Sequence, residues 1–132
     1  MSWKYMLDTD TVSYALRGHG RVGARILEHR PSELCISAIT LAELRFGADR
    51  RESKKLHKLI DTFSDSVTAL AFDAHAADHF GRLAADLAER GKPIGALDTM
   101  IAAHALAQKL ILVTNNAKHF GRVAGLAREN WL

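Results

Sequence analysis

The segment Trp3-Lys4-Tyr5-Met6-Leu7-Asp8 reads as a short buried strand that ends in a carboxylate, and the rest of the chain can be placed around it. A carboxylate that directly follows an apolar strand is partly desolvated and wants a cation nearby. Other apolar runs repeat the pattern with a polar group at the C-terminal end. Leu34-Cys35-Ile36 leads to Ser37, and Leu110–Val113 leads to Thr114, Asn115 and Asn116. Val67–Phe72 is a further strand candidate.

Helical segments separate these runs. Asp10–Arg17 is stopped by Gly18-His19-Gly20, and Val22–Arg30 ends before Pro31. Leu41–Ala48 has helical periodicity. Leu56, Leu59, Ile60 and Phe63 fall at i, i+3, i+4 and i+7, an amphipathic helix. Asp73 is a suitable N-cap for a long helix with the stripe Ala76, Ala77, Phe80, Leu83, Ala84 and Leu87, broken by Gly91-Lys92-Pro93. A last long helix runs from Leu97 to about Gln108, and a short tail closes at Trp131. Strands alternating with helices predict an α/β fold, a mainly parallel sheet with helices on both faces. In open α/β sheets, ligands bind at the C-terminal ends of the strands, where the polar groups named above fall.

Length and composition bound the rest. The 132 residues suit one domain spanning 1–132, with 48% hydrophobic and 25% charged residues and only 2 prolines. No apolar stretch approaches a membrane span, and the N-terminal segment lacks the features of a signal peptide. A lone cysteine, Cys35, cannot form an internal disulfide and reads as core, so the expected location is the cytoplasm. A net charge of +3 permits a polyanionic partner without requiring one. The basic residues Arg45, Arg50, Arg51, Lys54, Lys55 and Lys58 cluster in one stretch that reads first as a solvated helix face.

Asp8, Glu43 and Asp98 are the candidate metal-holding carboxylates, with Asn116 beyond the last strand. Phosphodiester hydrolysis assisted by Mg²⁺ needs hard oxygen ligands, of which the protein usually supplies one or two carboxylates per ion. Each residue has a structural alternative. Thr40-Leu41-Ala42-Glu43 could be a capping box, Asp98 could serve the dipole of a helix start, and Asn115 and Asn116 suit a turn.

Four motifs, in order, resemble the segments of PIN-domain ribonucleases, and most nearly the VapC toxins of bacterial toxin–antitoxin pairs. They are Met6–Ser13, Ile36–Ala48, Gly95–His104 and Leu112–Asn116, with Gly121–Leu126 and Asn130-Trp131 adding to the likeness. The resemblance implies a PIN-like three-layer sandwich, catalysis by Asp8, Glu43, Asp98 and Asn116, and metal held by the three acids. Thr9, Thr114 and Asn115 fall in supporting positions. It implies Mg²⁺ as cofactor with Mn²⁺ substituting, and hydrolysis by a metal-activated water that leaves 5′-phosphate and 3′-hydroxyl ends. It further implies a homodimer, a cognate VapB-like antitoxin and an RNA substrate, by likeness to the enterobacterial branch initiator tRNA. Two departures stand out: an amide at Asn116 where many relatives have an acid, and His119 where some carry one before the Phe. They predict one well-held ion and a weak second.

Two rival readings remain at this level. Asp8-Thr9-Asp10-Thr11-Val12 also fits the opening motif of haloacid-dehalogenase-type phosphatases, with Asp8 as nucleophile and Asp10 as acid. A non-catalytic RNA-binding module is the other, although clustered carboxylates repel phosphate unless a cation intervenes. His75 and His79, at i and i+4, could pair on Zn²⁺ but read first as solvated surface, and His104 as a hydrogen-bonded, partly buried ring.

Overall fold

A computed structural model describes residues 3–132. Its centre is a five-stranded parallel sheet: β1 (Tyr5–Leu7), β2 (Leu34–Ser37), β3 (Thr68–Leu70), β4 (Ile111–Val113) and β5 (Arg128–Glu129). The strands lie in the order β3-β2-β1-β4-β5. β1 is therefore central, with Tyr5 opposite Leu34 on one side and Leu7 opposite Val113 on the other. Between β1 and β4 the strand order reverses direction, which makes a crevice at their C-terminal ends.

The helices are α1 (Thr9–Leu16), α2 (Val22–Leu27), α3 (Ala38–Arg50), α4 (Lys54–Ser66), α5 (Ala74–Glu89), α6 (Ala96–Gln108) and α7 (Ala117–Phe120). They cover both faces, as the period-2 alternation of buried strand residues requires. Met6, Cys35 and Leu112 point into one core, with Leu83 and Leu87 of α5, Ile101 and Ala105 of α6, and Phe120 of α7. Tyr5, Leu7, Leu34, Ile36 and Val113 point into the other, with Val12 of α1, Leu44 and Ala48 of α3, and Ile60 of α4. Cys35 is fully buried and its Sγ lies 3.5 Å from the Tyr5 carbonyl; burial pushes its pKa up to about 12. No helix among the described residues is long and apolar enough to cross a membrane.

Several boundaries differ from the expectations, each for a local reason. The third helix begins at Ala38, earlier than Leu41, because the Ser37 hydroxyl accepts from the Ile39 N–H and caps it. Thr40 and Glu43 therefore lie inside α3 and form no capping box. α2 stops at Leu27 because Pro31 holds Arg30 extended (φ −72°, ψ 138°). β3 is three residues long and ends before Asp73, which caps α5 as expected by accepting from the Ala76 N–H at 2.9 Å. Three elements go beyond the expectations: the 3₁₀ turn Pro31–Glu33, the one-turn α7 and the edge strand β5. None is long enough to show a period in sequence.

His104 is completely buried, with Nδ1 2.8 Å from the Ser37 hydroxyl and its ring edge-on to Phe72. Burial lowers its pKa, so the ring is neutral at physiological pH. His75 and His79 stand on α5 with rings 4.8 Å apart, and His79 Nδ1 bonds back to the His75 carbonyl.

The tail returns across the sheet. Trp131 is 1% exposed, stacks on His29 at 4.7 Å and meets Tyr5 edge-on at 5.0 Å. Trp131→Ala is expected to cost about 3–5 kcal/mol, read as a lower urea midpoint. A loss below about 1 kcal/mol would show that the tail does not support β1.

Candidate active site

The site forms at the β1–β4 crevice. The Asp8 N–H donates to the Val113 carbonyl (3.0 Å), so Asp8 leaves the sheet beside the end of β4. Its carboxylate caps α1 by accepting from the Thr11 N–H at 2.8 Å, while the Thr11 hydroxyl donates to the Val113 carbonyl at 3.0 Å. One short segment thus fixes the carboxylate, the start of α1 and the end of β4 together. Asp8 is 4% exposed, and burial raises its pKa from 3.8 to about 6. Hydrogen bonding from Thr114 and Thr11 opposes the rise, and the charge of Asp10 adds to it.

Glu43 reaches the same edge from the second turn of α3. It is half-buried and accepts from the Thr9 hydroxyl at 2.6 Å; that hydroxyl lies 3.2 Å from Thr40. Burial again raises its pKa, Thr9 opposes, and the charges of Asp98 and Asp10 add. The carboxylates therefore feel one another across three separate chain segments. Asp98 sits in the first turn of α6, whose start depends on Gly95 at φ 91°, a conformation side chains rarely adopt. The His119 Nδ1–H donates to Asp98 Oδ2 at 2.8 Å.

The amides beyond β4 have other partners. The Asn116 side chain caps α7 by accepting from the His119 N–H at 3.1 Å, and its own N–H donates to the Thr114 hydroxyl at 2.9 Å. Asn115 is exposed and accepts from the Asn130 amide at 2.9 Å, tying the loop to the tail. Asn116 thus reaches the site through His119, whose backbone it fixes and whose ring holds Asp98. His119 is the residue that sequence reasoning undervalued: it registered there as a missing acid, and its position just before the buried Phe120 was the available signal. Asp10 is exposed in the first turn of α1.

No lysine or arginine forms an ion pair with Asp8, Asp10, Glu43 or Asp98 among the described residues, and only His119 meets Asp98. Among the described residues no three His, Cys, Asp or Glu side chains are placed to hold one metal ion together. An ion that draws one or two carboxylates from the protein and completes its octahedron with water and phosphate fits such an edge. The donors are hard oxygens, and no lysine or arginine is paired with them among the described residues.

A family model described as the PIN domain matches residues 5–126. The chain belongs to the PIN-domain family. It is 37% identical over 129 residues to the tRNA(fMet)-specific endonuclease VapC of Shigella flexneri, covering 97% of this chain and 98% of that one. It is 39% identical over 130 residues to ribonuclease VapC2 of Haemophilus influenzae, covering 98% of each. Among solved structures it is similar to the DNA-bound VapBC of Salmonella typhimurium, with a TM-score of 0.89, 36% identity and coverage of 98% and 99%. These likenesses set aside the phosphatase reading of Asp8 and Asp10.

The raised pKa of Asp8 has a thermodynamic counterpart. The folded chain keeps a proton that the unfolded chain has already lost, so this group's contribution is greatest below about pH 4 and is lost as pH rises through about 6. Asp8→Asn, which keeps the cap, is expected to stabilise the metal-free protein at pH 7 by about 1–3 kcal/mol. The gain should shrink towards pH 4. Denaturant titrations at both pH values test this, and a less stable variant at pH 7 would overturn it.

Proposed function

We propose that this protein is the ribonuclease toxin of a toxin–antitoxin pair, a cytoplasmic, Mg²⁺-dependent endonuclease that cuts tRNA, with initiator tRNA as its target. Mn²⁺ substitutes for Mg²⁺ in this reading. The observation that carries it is the set of carboxylates Asp8, Glu43 and Asp98, unpaired with lysine or arginine among the described residues, at the strand-order reversal of a PIN-family sheet. Its protein partner is a VapB-type antitoxin, as in the VapBC complexes it resembles, and it acts as a homodimer.

Of Asp8, Glu43 and Asp98, one or two would hold the metal directly and the remainder through its bound water. When bound, Mg²⁺ supplies an activated water and a counter-charge for the phosphate. The chain's own contribution is orientation. Thr11 and Thr114 hold the Asp8 carboxylate at the end of β1, Thr9 holds Glu43, and His119 holds Asp98. Burial of Asp8 favours its neutral form in the absence of a cation, so metal-free protein takes up a proton there at mildly acidic pH. RNA hydrolysed by water in this way needs no participation of the ribose 2′-hydroxyl.

Initiator tRNA incubated with Mg²⁺ should be cut to fragments bearing 5′-phosphate and 3′-hydroxyl ends. EDTA, Asp8→Asn or Asp98→Asn should reduce the rate at least about 100-fold, the scale expected for loss of a metal-ion contribution of several kcal/mol. Cleavage that persists in EDTA, or products ending in 2′,3′-cyclic phosphate, would sink the metal-dependent reading. Asn116 is an amide engaged as a helix cap and His119 stands in place of an acid, so Mn²⁺ calorimetry should show one dominant site. Two comparably tight sites would contradict that expectation.

A further inference from the structure

We propose that the groove between α1, α3 and α4 carries the phosphodiester backbone of the RNA away from the carboxylates, with Arg51, Lys55 and Arg17 as its phosphate contacts. This rests on the nuclease reading above. Two adjoining hollows form the groove. The first, of about 130 Å³, is lined by Thr9, Asp10, Glu43 and Arg51, and so opens on the acidic edge. The second, of about 330 Å³, is lined by Arg17, Arg51 and Lys55. Leu16, Arg51 and Leu56 line both, so the hollows are continuous, and charge changes sign along them.

Two features separate these cations from an ordinary solvated face, and Lys55 adds a third. They converge from three elements: Arg17 ends α1, Arg51 ends α3 and Lys55 lies in the first turn of α4. None forms an ion pair with a carboxylate among the described residues, whereas Arg45 on the same α3 is neutralised by Asp61 and touches His57. Lys54 and Lys55 also sit at the end of α4 where the helix dipole disfavours positive charge, and that first turn holds no acid. A local rule broken without local compensation points to a binding role. The chemistry suits a polyanion that must approach carboxylates: its flanking phosphates meet cations not paired with a carboxylate among the described residues, Arg17 being steadied by the Ser13 carbonyl and the Tyr14 ring, and the apolar floor of Leu16 and Leu56 accepts ribose or base.

The test uses the full-length protein and a fluorescein-labelled RNA hairpin with a single-stranded loop. In an Asp98→Asn background with Mg²⁺, Arg51→Ala/Lys55→Ala should weaken binding about tenfold or more at physiological salt. The slope of log affinity against log salt should shrink by about 0.7 per lost contact, and Arg51→Lys/Lys55→Arg should restore most of both. Lys4→Ala, exposed just before β1 at the sheet edge opposite the carboxylates, serves as the charge control. In the cleaving protein the double variant should raise KM more than it lowers kcat. Unchanged affinity and salt slope, with altered oligomeric mass or antitoxin binding instead, would assign the groove to a protein partner and overturn the proposal. Binding that depends on Arg51 in a protein that never cleaves RNA would leave the groove standing and remove the nuclease reading. Cleavage with affinity independent of Arg51 and Lys55 would do the reverse.

Discussion

Asp8 is where the sheet, the first helix and the acidic edge meet. Its backbone extends the pairing of β1 with β4, and its carboxylate closes the N-terminus of α1. The same carboxylate is almost fully enclosed and, among the described residues, forms no ion pair with a cationic side chain. A protein selected for stability alone would place an asparagine or serine here, since either caps a helix without the desolvation of a charge. Keeping the acid makes sense when a cation from outside completes the site.

The arrangement around Asp8 is delivered by topology more than by local sequence. Parallel pairing of β1 with both β2 and β4 puts three strand ends at one edge, and the helices that follow β1 and β2 begin there. Asp98 arrives on a helix start and Glu43 on the second turn of its helix, and each is steadied by one neighbour, His119 or Thr9. Helix starts suit this task because their geometry is fixed by caps: Ser37 for α3, and the glycine backbone at Gly95 for α6. The carboxylates are thereby held on rigid elements although they lie far apart in the chain.

Much of this was legible in the sequence. The buried strands were visible as apolar runs because residues on both faces of a parallel sheet are enclosed, and their polar C-terminal neighbours marked the edge. The long helices declared themselves by stripe and cap, as with Asp73. Other features had no such signal. β5 consists of Arg128 and Glu129, whose side chains say nothing of pairing; it exists because Trp131 and Asn130 fasten the tail to β1 and to the loop beyond β4. The contact of His119 with Asp98 joins residues 21 positions apart through a single turn of helix that only Asn116 announces. The basic stretch was seen but could not be divided: in the fold Arg45 turns to Asp61, while Arg51 and Lys55 face the groove.

Cys35 carries a practical corollary. It is the only cysteine in the chain, lies sealed between β1 and the α6 layer, and its thiol resists ionisation. The native surface therefore offers no cysteine thiol to a maleimide. A thiol engineered anywhere on the exterior would be the sole addressable handle, so spectroscopic probes or cross-linkers can be installed at a chosen spot with no background from the wild-type chain.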